Sequence, residues 1–128
     1  MSATGILAAM AVQEPTFLIL TALAAEPLHG YGLMQRVREL SDDRVQLRTG
    51  TLYGALDRLM AEGLIAADRE EVVDGRLRRY YRLRDDGAAV LESEAERLAR
   101  NVEAARAGLR QRTARAVRPG LSATFAIA

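Results

Sequence analysis

The 128 residues contain no cysteine, which excludes disulfides, thiolate nucleophiles and Cys-based zinc sites. That usage fits a cytoplasmic protein. Lysine is also absent, so all 18 basic residues are arginine. Arginine suits bidentate recognition of phosphate and base edges, although the codon bias of a GC-rich genome produces the same composition. Tryptophan is missing, and His29 is the one histidine. A single imidazole and no thiol leave nucleophilic, metal or His-based catalysis few candidates, and there is no phosphate-binding glycine loop. The carboxylate pairs Asp42-Asp43 and Asp85-Asp86 sit where turns and helix starts favour such residues anyway. No enzyme activity, cofactor or metal is therefore expected. Long apolar runs are lacking too. Residues 6–12 and 17–25 are separated by Gln13-Glu14-Pro15, and neither reaches the roughly 20 residues needed to span a bilayer. No positive charge precedes the first run, which speaks against a secretory signal. No membrane association is expected.

What is present is one domain's worth of chain with a formal net charge of +1 and an ordinary hydrophobic fraction. Its charge is unevenly spread: five of the nine residues 76–84 are Arg, with no acid among them. The central feature is the stretch 49–65. Thr49 is placed to act as a helix N-cap and Gly63 as the left-handed stop. Leu52, Leu56 and Leu59 recur at helical spacing and form one apolar stripe. The opposite face carries Thr51, Gly54, Asp57 and Arg58, with Arg48 just before the cap and Tyr53 at the edge. Such a helix suits a DNA major groove, while a solvated surface face is the plainer account.

Two helices are predicted before it. Pro15 opens the first, which runs from about residue 14 to 25. Residues 26–30 break the chain, with Gly30 permitting a turn. The second helix covers about 31–40, with Leu33, Met34, Val37 and Leu40 on one side. Residues 41–44 form a polar turn, and 45–47 an extended link. After Gly63 the period becomes that of strands. Leu64-Ile65-Ala66 leads out, and 69–73 is extended. Asp74-Gly75 is a hairpin turn, and 76–84 returns. Leu77, Tyr81 and Leu83 alternate onto one face, and Arg76, Arg78, Tyr80, Arg82 and Arg84 onto the other. Asp85 or Asp86 then caps a long helix. Its Ala88, Leu91, Ala95, Leu98, Val102, Ala105 and Leu109 form a narrow heptad seam, suited to a second copy or to the chain's own first helix.

The fold expected is mainly α with a small β-hairpin: a winged helix-turn-helix followed by a long C-terminal dimerisation helix. Its parts are an N-terminal arm (1–13), a DNA-binding domain (14–84), the dimerisation helix (85–112) and a mobile tail (113–128). The sequence resembles the PadR family of bacterial transcriptional regulators. The likeness is carried by Leu28-His29-Gly30-Tyr31-Gly32-Leu33, Gly50-Thr51-Leu52-Tyr53, Glu62-Gly63-Leu64-Ile65 and the stretch from Gly75-Arg76 to Arg82-Leu83. The resemblance implies a homodimeric repressor of double-stranded DNA at a pseudo-palindromic operator, relieved by a small molecule or a stress signal. Some relatives bind planar aromatic drugs with the help of Trp. This chain has none, which speaks against that ligand class.

Nine residues are candidates for DNA contact. Thr49 and Thr51 offer hydroxyls or first-turn N–H groups to phosphate, with simple capping as the alternative. Tyr53 reaches the sugar-phosphate backbone or packs under the wing. Arg48 and Arg58 reach phosphate or guanine, unless Asp57 pairs with Arg58. Tyr31 resembles a family phosphate contact, or edges the core. Arg76, Arg78 and Arg79 at the wing tip lie along or enter a minor groove. His29 is expected to do no more than pack a turn. The rival function is a winged-helix module that binds an acidic protein partner without an operator.

Overall fold

The computed structural model describes residues 12–117, so most of the arm (1–11) and residues 118–128 lie outside it. Helix α1 (Glu14–Ala25) starts with Pro15 in its first turn. Thr16, Leu18, Ile19, Leu20, Ala22 and Leu23 are all buried, so the helix is enclosed on most sides rather than amphipathic. Strand β1 (Leu28–His29) follows, then helix α2 (Gly30–Leu40). Leu33 and Val37 are fully buried, but Leu40 is 45% exposed and does not join their face as the sequence predicts. At the end of α2 the Ser41 hydroxyl bonds to the Val37 carbonyl at 2.8 Å and accepts the Val45 N–H at 3.0 Å. Asp42 and Asp43 then turn the chain through φ of 55° and 64°, a region Asp tolerates better than most side chains. An Arg44–Glu14 ion pair ties this turn to the start of α1.

Helix α3 (Thr49–Ala61) is the predicted central helix, with Leu52, Ala55, Leu56 and Leu59 buried. Its N-cap is Arg48 rather than Thr49, and no side chain caps it. Thr49 is already helical because the Arg48 carbonyl accepts the Leu52 N–H at 2.9 Å. The other end matches expectation. Gly63 adopts φ +76°, the Leu64 N–H reaches the Leu59 carbonyl, and the Gly63 N–H reaches the Met60 carbonyl. Those two bonds satisfy carbonyls that the helix end leaves free.

Strands β2 (Ile65–Val73) and β3 (Arg76–Leu83) form the wing. Asp74 and Gly75 both have positive φ, 52° and 75°, as a tight I′ hairpin requires. β2 begins at Ile65, earlier than the sequence predicts, and a bulge between Ala67 and Glu70 interrupts its pairing with β3. The sheet has three strands in the order β1-β3-β2, because Leu28 pairs with Tyr81 and His29 with Tyr80. The third strand is invisible in the sequence, since two residues carry no period.

Helix α4 (Asp85–Val117) starts one residue earlier than a cap at Asp85 allows and two earlier than a cap at Asp86. Both acids lie in its first turn, and the Ala88 N–H bonds to the Arg84 carbonyl. The helix is continuous through Val117, five residues beyond the predicted limit of 112, with Gly108 exposed to open space and no proline before that point. The chain divides into two units within this helix, at Glu94/Ala95. In the first unit, Gly87, Val90 and Glu94 are buried and Leu91 packs on the core, whereas Ala88 is exposed. The core-facing stripe therefore runs through Val90 rather than along the seam. In the second unit, Leu98 is half-buried, and Ala95, Val102, Ala105 and Leu109 are exposed.

Candidate nucleic-acid interface

Two adjoining grooves open on the side of the first unit where α2, α3 and the wing meet. The larger, about 570 Å³, is lined by His29, Gly30, Tyr31, Tyr53 and the wing residues Val73 to Arg79 except Gly75. The smaller, about 470 Å³, runs between α2 and the start of α3, past Tyr31, Gln35, Arg38, Gln46, Arg48 and Thr49. Tyr31 lies on both, 61% exposed. Seven of the nine candidate residues thus line two neighbouring grooves. Thr51 and Arg58 line neither. They lie two turns apart on the exposed side of α3, flanking Gly50, Gly54 and Asp57.

The position of Tyr53 explains a glycine that the sequence assigns to a turn. Gly30 is helical, and a Cβ there would overlap the Tyr53 hydroxyl. Gly30 therefore lets α2 and α3 approach, and its neighbour sets where the phenol sits. Gly50 and Gly54 are different: a Cβ at either would meet nothing within 4 Å. No contact inside the described chain requires these two glycines, although each costs a helix interior about 1 kcal/mol relative to Ala.

The wing's charge is less one-sided than its second strand alone implies, because β2 brings carboxylates across. Arg79 pairs with Glu70 at 3.4 Å, and Arg82 approaches Asp68 at 3.9 Å. Arg69 bonds Asp68 at 3.2 Å and Glu71 at 3.0 Å, and lies 3.9 Å over the Tyr80 ring. The Tyr80 hydroxyl donates to Glu71 at 3.2 Å. The Arg69 hydrogen bond, more than any other influence, holds the Glu71 carboxyl below the usual range. Burial pushes the Tyr81 phenol up. Among the described residues, Arg48, Arg58, Arg76 and Arg78 have no carboxylate within ion-pair distance, and Asp57 does not pair with Arg58. The exposed Arg79–Glu70 pair is worth at most about 1 kcal/mol, so a competing anion displaces Glu70 cheaply. Sequence reasoning missed His29 as a wall of the larger groove and Gln46 as a wall of the smaller. His29 is placed by its pairing with Tyr80 on another strand, and Gln46 lies in a link without periodicity.

Among the described residues no group of acids and histidines is arranged to hold a metal ion, and no helix is long and apolar enough to cross a membrane. Three helices, a wing stitched to the second helix by a short strand, and a cationic face beside the third helix define a winged helix-turn-helix protein. The model of the transcriptional regulator PadR-like family matches residues 19–93, more than half of the chain. The chain belongs to the PadR-like family of transcriptional regulators, which are not enzymes.

Its similarity to individual proteins agrees. It is 42% identical over 87 residues to the Mycobacterium tuberculosis transcriptional regulator Rv3488, covering 66% of this chain and 78% of that one. It is 40% identical over 91 residues to an uncharacterised 37.1 kDa protein of a Streptomyces fradiae transposon, covering 71% of this chain but only 25% of that protein. Among solved structures, a PadR-family regulator from Clostridium difficile superposes with a TM-score of 0.65 at 26% identity, covering 76% of this chain and 99% of that one. Bacillus subtilis PadR, solved in complex with operator DNA, shares the fold with a TM-score of 0.53 at 24% identity, over 60% of this chain and 44% of that one.

Proposed function

We propose that the chain is a homodimeric repressor that binds double-stranded DNA at a pseudo-palindromic operator, with a small-molecule or stress signal relieving repression. The observation that carries the reading is the unpaired state of Arg48, Arg58, Arg76 and Arg78 around a helix face kept bare by Gly50 and Gly54. In this reading residues 14–84 are the DNA-binding domain. Helix α3 enters the major groove. Arg58 and Thr51 flank its bare face, Arg48, Thr49, Tyr31 and Tyr53 meet phosphates, and Arg76, Arg78 and Arg79 follow the flanking backbone. The operator complex of Bacillus subtilis PadR supports this by analogy of fold. The test is selection of DNA fragments by the purified protein, followed by gel shift at two salt concentrations. A selected site with half-sites about one helical turn or a multiple apart, bound more weakly as salt rises, is expected. Equal retention of all sequences would remove the operator from the proposal.

Two further outcomes follow. Gly54→Ala is expected to stabilise the free protein by roughly 1 kcal/mol in chemical denaturation, because it fills no occupied space. The same methyl blocks close approach of a DNA strand, so operator affinity falls in the same protein. A variant that gains stability and binds normally shows that no strand approaches there.

The dimer is the second case. Leu98, Val102, Ala105 and Leu109 lie at heptad spacing, mostly exposed, and burying one large aliphatic side chain stabilises by about 1.5–3 kcal/mol. Placing Asp at both Val102 and Leu109 is therefore expected to give a folded monomer in sedimentation experiments, with operator binding lost. An unchanged dimer would move the interface off this seam.

A further inference from the structure

The one imidazole of the chain stands in the wall of the larger groove with its partners unassigned. His29 is the residue before α2 and makes no side-chain cap bond. A Cβ on Gly32 would stand 3.2 Å from its Cε1 and 3.4 Å from its Nδ1, so this edge of the ring lies along the first turn of α2. Nδ1 is shut from solvent and has no hydrogen-bond partner. The ring stacks at a tilt on Tyr80, with centroids 5.2 Å apart. The groove it walls is also lined by Tyr31 from α2, Tyr53 from α3, and Arg76, Arg78 and Arg79 from β3. Glu71 and Arg69 of β2 stand beyond Tyr80, bound to its hydroxyl and stacked on its ring.

We propose that His29 is a proton-linked member of the DNA interface: a phosphate entering this groove draws a proton from solvent onto the imidazole, so DNA binding is coupled to proton uptake. The proposal rests on the DNA-binding reading above. In the free protein, burial and then repulsion by Arg78 hold the imidazole below its ordinary titration range, against an opposing pull from Glu71. A phosphate in the groove changes that balance, because its charge neutralises the Arg78 field that repels a proton on the ring. The sign follows: protonation favours the complex, so affinity is highest at low pH and is lost as pH rises through the titration of His29 in the complex.

Because the chain holds one histidine, its imidazole carbon-bound protons give a single reporter in NMR. Wild-type protein is titrated from pH 5 to 8.5 free and bound to its selected duplex, at constant ionic strength. The expected result is a midpoint below the ordinary histidine range in the free protein and an upward shift of about one unit in the complex, with affinity falling roughly three- to five-fold per protomer from pH 6 to pH 8. In His29→Gln, the pH dependence of affinity flattens. A complex that forms with the His29 midpoint unmoved overturns the coupling and leaves DNA binding intact. Absence of any complex overturns the DNA reading and the coupling with it.

Discussion

Replacing Arg76 and Arg78 together with Ala is expected to weaken DNA binding on the order of a hundred-fold at about 0.1 M salt, for specific and random duplexes alike. Both guanidiniums lie on β3 beside the larger groove and neither is engaged by a carboxylate. Each is therefore free to neutralise a phosphate without first breaking an internal pair. In a dimer the double substitution removes four such contacts. Since each neutralised phosphate contributes a slope of about −0.9 to the dependence of log affinity on log salt, the slope should flatten by about 3 to 4. The companion change, Arg79→Ala, is expected to do less, because Arg79 gives up its Glu70 pair to bind. The measurement is binding of one labelled duplex at four salt concentrations. A loss confined to the selected sequence, with the salt slope unchanged, would mean that these arginines read bases instead. No loss at all would favour a protein partner for the Arg face.

The second large effect is on stability. Gly87→Ala is expected to cost a net amount on the order of 2–3 kcal/mol, read from the midpoint of urea unfolding. A Cβ at this position would overlap the backbone carbonyl of Leu64 and the Leu83 side chain. The Leu64 carbonyl cannot move away easily, because it accepts the Arg84 N–H at 3.0 Å and Leu64 itself is fully buried. The usual helical gain from Gly to Ala, about 1 kcal/mol, offsets only part of that overlap. The opposite signs expected for Gly87→Ala and Gly54→Ala come from the surroundings alone, since both glycines are helical. A Gly87→Ala protein as stable as the parent would mean that the start of α4 lifts from the sheet without penalty.

Much of the molecule is legible in its sequence. The stop at Gly63 and the turn at Asp74-Gly75 follow from residues that accept positive φ, and both adopt it. The apolar stripe Leu52-Leu56-Leu59 is buried as its spacing requires. The helix starts were less well placed. Thr49 and Asp85 carry the side chains of caps, yet the backbone carbonyls of Arg48 and Arg84 already close the first turns. A capping side chain marks the neighbourhood of a helix end, while the hydrogen bond decides the residue.

The sequence by itself determined the order of helices and strands, the hairpin, the stop of α3 and the concentration of arginine on one strand. These signals are local: each lies within a turn or two of the residue it controls. Only the tertiary structure decided which arginines remain unpaired, since the carboxylates that neutralise Arg79 and Arg82 arrive on the neighbouring strand. It alone showed that His29 and Tyr80 meet, that Gly30 makes room for Tyr53, and that Gly87 seats α4 on Leu64. Those facts depend on groups far apart in the chain, and no periodicity along one segment encodes a contact made through space.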